Sequence, residues 1–223
     1  MEFKHETCQQ YIARRLSEGW SIVCQYGYTI ILSPPNGTFL RPVDLRNDIE
    51  TLRPNAPGDE CSIDSQGGWC PVCPNHWEGV SDVVPDDDVA YVRNTAVTSY
   101  LRDLYALPAS SGSGTINFIK IYFRCSWWNT PGFAKPSLKS DDTITDGTEV
   151  AIETEWTTFK TYSQQWDTNP ADGQPWGSDW SVIDALQIGV SLKMGAGGQA
   201  LCTQVYVEVD YTPVGRSFGF IIG

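Results

Sequence analysis

The sequence has few basic residues. Lysine and arginine number 15 against 27 aspartates and glutamates, and the formal net charge is −12. A nucleic-acid groove needs basic side chains to neutralise phosphates, so we expect no nucleic-acid partner. Neutral partners, either cell-surface glycans or other copies of the chain, suit this charge better.

Long apolar runs are also missing. No stretch approaches the roughly 20 apolar residues of a membrane-spanning helix. Residues 1–8 do not have the charged and apolar profile of a secretory signal peptide. We therefore expect no membrane insertion, and an extracellular location would need another route, such as lysis or a dedicated exporter.

Recognisable catalytic motifs are absent as well. The sequence has two histidines and contains no Gly-x-Ser-x-Gly, His-Glu-x-x-His or phosphate-loop pattern. Glu153 and Glu155 lie on one side of an expected strand, where carboxylates solvate a surface more simply than they flank a glycosidic bond. The sequence therefore predicts a protein that is not an enzyme.

Turn-forming and aromatic residues are abundant. The chain has 20 glycines, 14 prolines, nine tryptophans and ten tyrosines, which favours many short strands joined by tight turns. Apolar and polar residues alternate over 118–125, 149–156, 186–192 and 203–211, as in half-buried strands. The outward residues of the first run are basic and those of the last are acidic, which predicts that these two strands are antiparallel neighbours. We predict a mainly β fold, with an antiparallel β-sandwich over residues 51–213.

Residues 1–50 have a different pattern. Tyr11, Ile12 and Leu16 share one helical face, and Gly19 suits the end of that helix. Three extended runs follow, at 20–23, 28–32 and 38–45. We predict a small α+β unit, a helix with an antiparallel sheet, that serves as a docking piece.

The end of the chain, residues 214–223, is a short apolar tail. We expect it to dock on its own domain or to extend the sheet of a neighbouring copy. The candidate assembly residues are Phe218, Phe220, Ile221 and Ile222.

Seven cysteines leave at least one thiol unpaired within the chain. The cluster Cys61, Cys70, Cys73 and His76 has the spacing C-x8-C-x2-C-x2-H and supplies four ligands for tetrahedral zinc. Disulfides explain the same cysteines in an oxidising location, and the candidate pairs are Cys61 with Cys70 or Cys73, and Cys8 with Cys24. We rank disulfides first, zinc second and inert thiols third. Cys125 and Cys202 have opposite parity on their strands, so pairing them would need a bulge.

Three consecutive carboxylates follow Pro85. Asp86, Asp87 and Asp88 could hold calcium, which takes several oxygen ligands. They also suit a turn in which aspartates cap backbone amides before the next strand, and we favour the turn. We thus expect no cofactor, with structural zinc or calcium as the alternatives.

The aromatic side chains offer a different kind of site. Flat exposed rings can stack on sugar faces, although buried tryptophan is also an ordinary way to fill a sandwich core. Trp127 and Trp128 have opposite parity, so one of them should face outward. The candidate residues for glycan or interface contacts are Trp127, Trp128, Trp176 and Trp180.

Several phrases resemble a β-sandwich domain that is common in structural proteins of tailed bacteriophages. They lie at 75–82, 85–92, 168–176, 183–190 and 205–209. The resemblance implies a jelly-roll, concanavalin- or laminin-G-like sandwich and a non-enzymatic virion structural role as a tail, fibre or decoration component, with other virion proteins as partners and a part in host attachment. It implies a location on the virion surface or outside cells. The alternatives are a carbohydrate-binding module or adhesin, and the subunit of a self-assembling extracellular filament.

Overall fold

The computed structural model describes residues 8–26, 29–33, 35, 41–44, 47–68, 75–87, 89–95 and 99–214, with 8–11, 21, 23–26, 29–33, 41–44 and 65–68 as backbone only. The fold is mainly β, and two antiparallel sheets form a β-sandwich. The predicted fold class is therefore confirmed. The assembly candidates Phe218, Phe220, Ile221 and Ile222 lie outside the described residues, as do Cys70, Cys73 and Asp88.

A helix and a separate three-stranded sheet precede the sandwich. They are α1 (Cys8–Ser17), β1 (Ser21–Tyr26), β2 (Thr29–Ser33) and β3 (Arg41–Asp44), and the sheet is antiparallel in the order β1-β2-β3. The helix ends as predicted, because Gly19 has a φ of +85° and the Trp20 N–H donates to the carbonyl of Arg15. Its role as a docking piece stays a prediction.

Twelve strands build the sandwich. They are β4 (Asp48–Leu52), β5 (Ala56–Cys61), β6 (Ser65–Gly68), β7 (Ala90–Asn94), β8 (Leu101–Ala106), β9 (Gly114–Trp128), β10 (Phe133–Ser140), β11 (Thr143–Asp146), β12 (Val150–Ala151), β13 (Lys160–Trp166), β14 (Gln187–Lys193) and β15 (Gln199–Pro213). Two short helices interrupt them, a 3-10 helix at Asn75–Gly79 and α2 at Ser181–Asp184. No helix in the described ranges is long and apolar enough to cross a membrane.

Each sheet has six strands. The first sheet has the order β13-β9-β15-β7-β6, with β4 beside the far end of β15. The second has the order β11-β10-β14-β8-β5, with β12 beside β10. The first strand of the sandwich is β4, which pairs with β15 and begins at Asp48. The sandwich therefore begins three residues before the predicted start at residue 51.

The longest pairing joins β9 and β15 along their whole length. It confirms the predicted antiparallel neighbours, since Lys120 lies opposite Glu208 and Tyr122 opposite Tyr206. A register shift between Cys202 and Gln204 marks a bulge in β15.

The core lies between the two sheets. Alternate residues of β9, β14 and β15 fill it with branched side chains, which suit a pleated surface. Full burial of one such side chain stabilises the fold by roughly 1.5–3 kcal/mol. The fully buried members include Ile119, Ile121, Phe123, Ile188, Val190, Leu192, Val205, Val207 and Val209, and Leu186 joins them from the residue before β14.

The predicted strand at 149–156 is short in the structure, only Val150–Ala151. Beyond it the chain contacts the ends of other strands: the Ile152 N–H donates to the carbonyl of Gly132, and the Trp156 N–H donates to the carbonyl of Trp127. The alternation is real, because Ile152 is buried. After Ala151 the described pairing of this segment is limited to an isolated bridge between Glu155 and Trp127, so the segment does not continue as a strand.

Candidate functional site

A small apolar cluster lies on the outer face of the first sheet. Val92 and Ala200 belong to the main core. Their strand neighbours Tyr91 and Leu201 point the other way, because side chains alternate along a strand. Tyr91 and Leu201 are buried with Phe159, and the ring of Trp156 packs against them.

A cavity of about 150 Å³ opens beside this cluster. Five residues line it, namely Tyr91, Arg93, Trp128, Trp156 and Gln199. They come from β7, from the end of β9, from the start of β15 and from the segment after β12. The cavity is therefore assembled from four separate parts of the sequence.

Trp128 is the exposed wall of the cavity. Its side chain is 49% exposed, while Trp127 packs against the main core. This difference confirms the prediction that one of the two faces outward. Trp128 lies directly opposite Gln199 in the β9–β15 pairing, which brings an aromatic ring and an amide together.

The position of Trp156 is fixed by backbone contacts. Its N–H donates to the carbonyl of Trp127 at 2.7 Å, and the Trp127 N–H donates to Thr154 at 2.9 Å. The next residue, Thr157, has a φ of 76°, which is strained for a β-branched side chain and costs on the order of 1–3 kcal/mol. The edge of one ring meets the face of the other between Tyr91 and Trp156, with centroids 5.4 Å apart. Packing and turn geometry together hold the ring in place.

The polar groups of the cavity are a guanidinium and an amide. Arg93 Nη1 donates to Gln199 Oε1 at 3.3 Å, across two neighbouring strands. A guanidinium offers up to five donors, and an amide offers donors and an acceptor. Together with the rings they can bind a neutral, hydroxyl-rich ligand.

The other two predicted tryptophans lie elsewhere. Trp176 is only 4% exposed, and its Nε1–H donates to the carbonyl of Trp166, so it fills the core and offers no exposed ring. Trp180 is partly buried, donates to the carbonyl of Gly114 and meets Tyr211 edge-on at 4.8 Å. Neither of them lines the cavity. Four cavity residues were not predicted, because the sequence has no signal that β7 reaches the start of β15.

The predicted cysteine–histidine cluster is present in part. Cys61 Sγ lies 3.4 Å from His76 Nδ1, and the same nitrogen lies 2.6 Å from Asp103 Oδ2, a residue that was not predicted. Cys70, Cys73 and the side chains of Cys8 and Cys24 lie outside the described residues. A nucleophilic triad needs the thiol and the carboxylate at different ring nitrogens, so this arrangement does not match one.

The remaining two cysteines are free thiols inside the core. Cys125 and Cys202 are both fully buried and lie opposite each other on β9 and β15. The two cysteines have opposite parity in the sequence. The bulge after Cys202 allows both side chains to face the core. Burial, and then the neighbouring Cys202 thiol, raises the pKa of Cys125 well above its usual value.

The aspartates after Pro85 form a turn. Asp86 Oδ1 accepts the Ala90 N–H at 3.2 Å, and the Asp86 carbonyl accepts the Val89 N–H. Asp87 has a φ of 52° and binds Arg124 through both carboxylate oxygens, at 2.7 and 2.8 Å. The favoured interpretation of these residues as a turn is therefore confirmed for Asp86 and Asp87.

No protein-family model matches this chain, and neither does any curated protein. Among solved structures, the C-terminal CBM6 of LamC, a marine laminarinase from Zobellia galactanivorans, is 11% identical with a TM-score of 0.39, over 73% of this chain and 99% of that chain. A CBM35 from Cellvibrio japonicus is 14% identical with a TM-score of 0.36, over 77% of this chain and 99% of that chain. A structure of infectious bursal disease virus, Gt strain, is 12% identical with a TM-score of 0.26, over 86% of this chain and 42% of that chain. Similarities this low assign no function, and the resemblance to tailed-phage proteins stays a prediction.

Proposed function

We propose that this chain is a carbohydrate-binding protein whose ligand occupies the aromatic cavity. The observation that carries this proposal is the convergence of three rings, an arginine and a glutamine around one cavity beside the outer face of the first sheet. One face of a sugar ring carries C–H groups that pack on aromatic rings, and its hydroxyls need hydrogen-bond partners. A mostly apolar pocket with a few placed polar groups suits both needs.

The size of the cavity supports a small binding unit. Its volume is about 150 Å³, which is the size of a protein cavity that holds one six-membered ring. That space suits one sugar ring and not a chain of them. A longer glycan would place one unit in the cavity and continue over the exposed face of Trp128.

The proposed activity is binding without hydrolysis. Glycosidases place two carboxyl groups on either side of the scissile bond. None of the described residues that line the cavity carries a carboxylate. Arg93 and Gln199 can orient hydroxyls but cannot supply the acid and base of that mechanism. We further propose that the protein meets its ligand outside cells or on a particle surface, where glycans are displayed.

A two-step experiment tests the binding proposal. The full-length protein is first screened on a glycan array, and each hit is then measured by calorimetry with the protein and two variants. Trp128→Ala removes the exposed wall of the cavity, whereas Tyr100→Ala removes a partly exposed ring just before β8, outside the cavity, and is the matched control. We expect the first variant to lose binding and the control to keep it. Equal binding by both variants, or no hit on the array, would contradict the proposal.

A further inference from the structure

A second cluster of functional side chains lies at the edge of the second sheet. Cys61 of β5 and Asp103 of β8 are direct cross-strand partners, and the 3-10 helix brings His76 to them. The three candidate ligand atoms all lie within 4.8 Å of one another. The aromatic cavity shares none of these residues.

Asp103 is held in place by its own hydrogen bonds. It is 0% exposed, and its Oδ1 accepts the backbone N–H of Ile63 at 2.9 Å. The Tyr105 hydroxyl donates to Oδ2 at 3.4 Å. Carboxylates that bind metals are oriented by such outer contacts. The carboxylate is therefore in a fixed position before any ion arrives.

The charge of this cluster calls for a cation. A buried carboxylate is costly without a positive partner. His76 directs its Nδ1 towards Cys61 Sγ and Asp103 Oδ2, so this ring nitrogen is the one that would bind an ion held by the three residues. A divalent ion would balance the Asp103 carboxylate and a Cys61 thiolate together, with the imidazole neutral.

The donor set indicates which ion. Thiolate sulfur, imidazole nitrogen and carboxylate oxygen are all zinc ligands. Softer ions prefer more sulfur and harder ions more oxygen. Three protein ligands would leave one position of a tetrahedral zinc ion for water or another donor.

The oxidation state of Cys61 controls whether the site can form. Cys61 is disulfide-bonded in this structure, and only the thiolate binds a metal. A phosphine reductant and one water molecule convert the S–S bond into two thiols, as the phosphine becomes its oxide and supplies the two electrons. The Cys61 thiol then releases its proton when the metal binds.

We propose that Cys61, His76 and Asp103 form a zinc site in the reduced protein, and that the disulfide and the metal are mutually exclusive states of Cys61. The sequence leaves open whether the cysteines form disulfides or bind zinc. In this proposal Cys61 does one or the other, depending on its oxidation state.

Cobalt(II) is the probe for this site, because it takes zinc positions and absorbs light. The full-length protein is titrated with Co²⁺ anaerobically, with the disulfide intact and after phosphine reduction. We expect binding of one equivalent after reduction, with a near-ultraviolet thiolate-to-cobalt charge-transfer band, and no such band before reduction. Zinc should then displace the cobalt and remove the band.

Variants locate the metal. Cys61→Ser should lose the charge-transfer band, and His76→Gln and Asp103→Asn should each weaken binding by about 100-fold or more, beyond the effect of losing an outer contact. Cys202→Ser, which removes a buried free thiol outside the cluster, is the matched control and should bind like the parent. A band that survives in Cys61→Ser, or affinities within about twofold of the parent for the other two variants, would overturn the proposal.

A milder variant tests the site even if the ligand variants do not fold. Tyr105→Phe keeps the ring and removes only the hydroxyl that donates to Asp103. We expect about tenfold weaker cobalt binding, with melting curves to show that the variant is folded. If the three ligand variants do not fold, the test depends on Tyr105→Phe. Unchanged cobalt affinity in the folded Tyr105→Phe protein would then overturn the proposal.

Discussion

The edge of one aromatic ring meets the face of the other between Tyr91 and Trp156, with centroids 5.4 Å apart and planes at 84°. This contact joins a strand residue to a residue on a strained turn, and both of them line the cavity. We therefore expect a change at Trp156 to affect both stability and the proposed glycan binding, and a change at the half-exposed Trp128 to affect mainly the proposed binding.

Trp156→Ala and Trp128→Ala should differ in their effect on stability. Removing Trp156 leaves a gap against Tyr91 and Phe159, and large-to-small changes at such positions cost about 3 kcal/mol. Removing the half-exposed Trp128, which belongs to neither buried cluster, should cost less, about 1 kcal/mol. Urea unfolding of both variants measures this, and equal losses would contradict the described packing.

Arg93→Lys should weaken glycan binding while the protein stays folded. Lysine keeps the charge but loses the planar fork of donors with which Arg93 contacts Gln199 and would contact the proposed ligand. We expect about tenfold lower affinity, which is about 1.4 kcal/mol, measured by calorimetry with the glycan that the array identifies. Lys120→Arg, on β9 and outside the cavity, is a control that should bind normally.

Cys125 and Cys202 should resist alkylation in the native protein. Both are fully buried, and burial together with the neighbouring thiol raises the pKa of Cys125, which disfavours the reactive thiolate. Iodoacetamide labelling followed by peptide mass spectrometry should find both unmodified without denaturant and both modified in guanidinium. Rapid native labelling of either one would show that the described core is open there.

Asp146 should make stability sensitive to acid. Burial alone would raise the pKa of Asp146, but hydrogen bonds from Ser137 and Arg102, with the Arg102 charge, lower it overall. A folded-state pKa below the unfolded value means that the stabilisation is present above the unfolded pKa near 3.8 and is lost as pH falls through the folded pKa.

The variant Asp146→Asn tests the direction of this pH dependence of stability. We expect it to lower the melting temperature at pH 7 and to have less effect near pH 3, below the unfolded pKa, where the parent is losing the same stabilisation. Glu155→Gln, at an exposed carboxylate, should behave like the parent at both pH values. A deficit for Asp146→Asn that grows as pH falls would contradict the stated direction.

The sequence predicts what depends on local patterning. Alternation locates β9, β14 and β15, and opposite parity identifies Trp128 or Trp127 as outward facing. The sequence could not reveal features that depend on pairing between strands far apart along the chain. The bulge after Cys202 reverses an expected parity, and Asp103 meets Cys61 only because β8 pairs with β5. The cavity likewise needs Tyr91 and Gln199 from strands far apart in sequence.

The central claim is that a glycan occupies the aromatic cavity, and the tryptophan indole N–H signals test it most directly. The nine indole resonances of ¹⁵N-labelled protein, assigned by single Trp→Phe variants, are followed during titration with the glycan that the array identifies. We predict that the signals of Trp128 and Trp156 shift, while those of Trp176 and Trp180 stay in place. Shifts at Trp176 or Trp180 without shifts at Trp128 would contradict the claim.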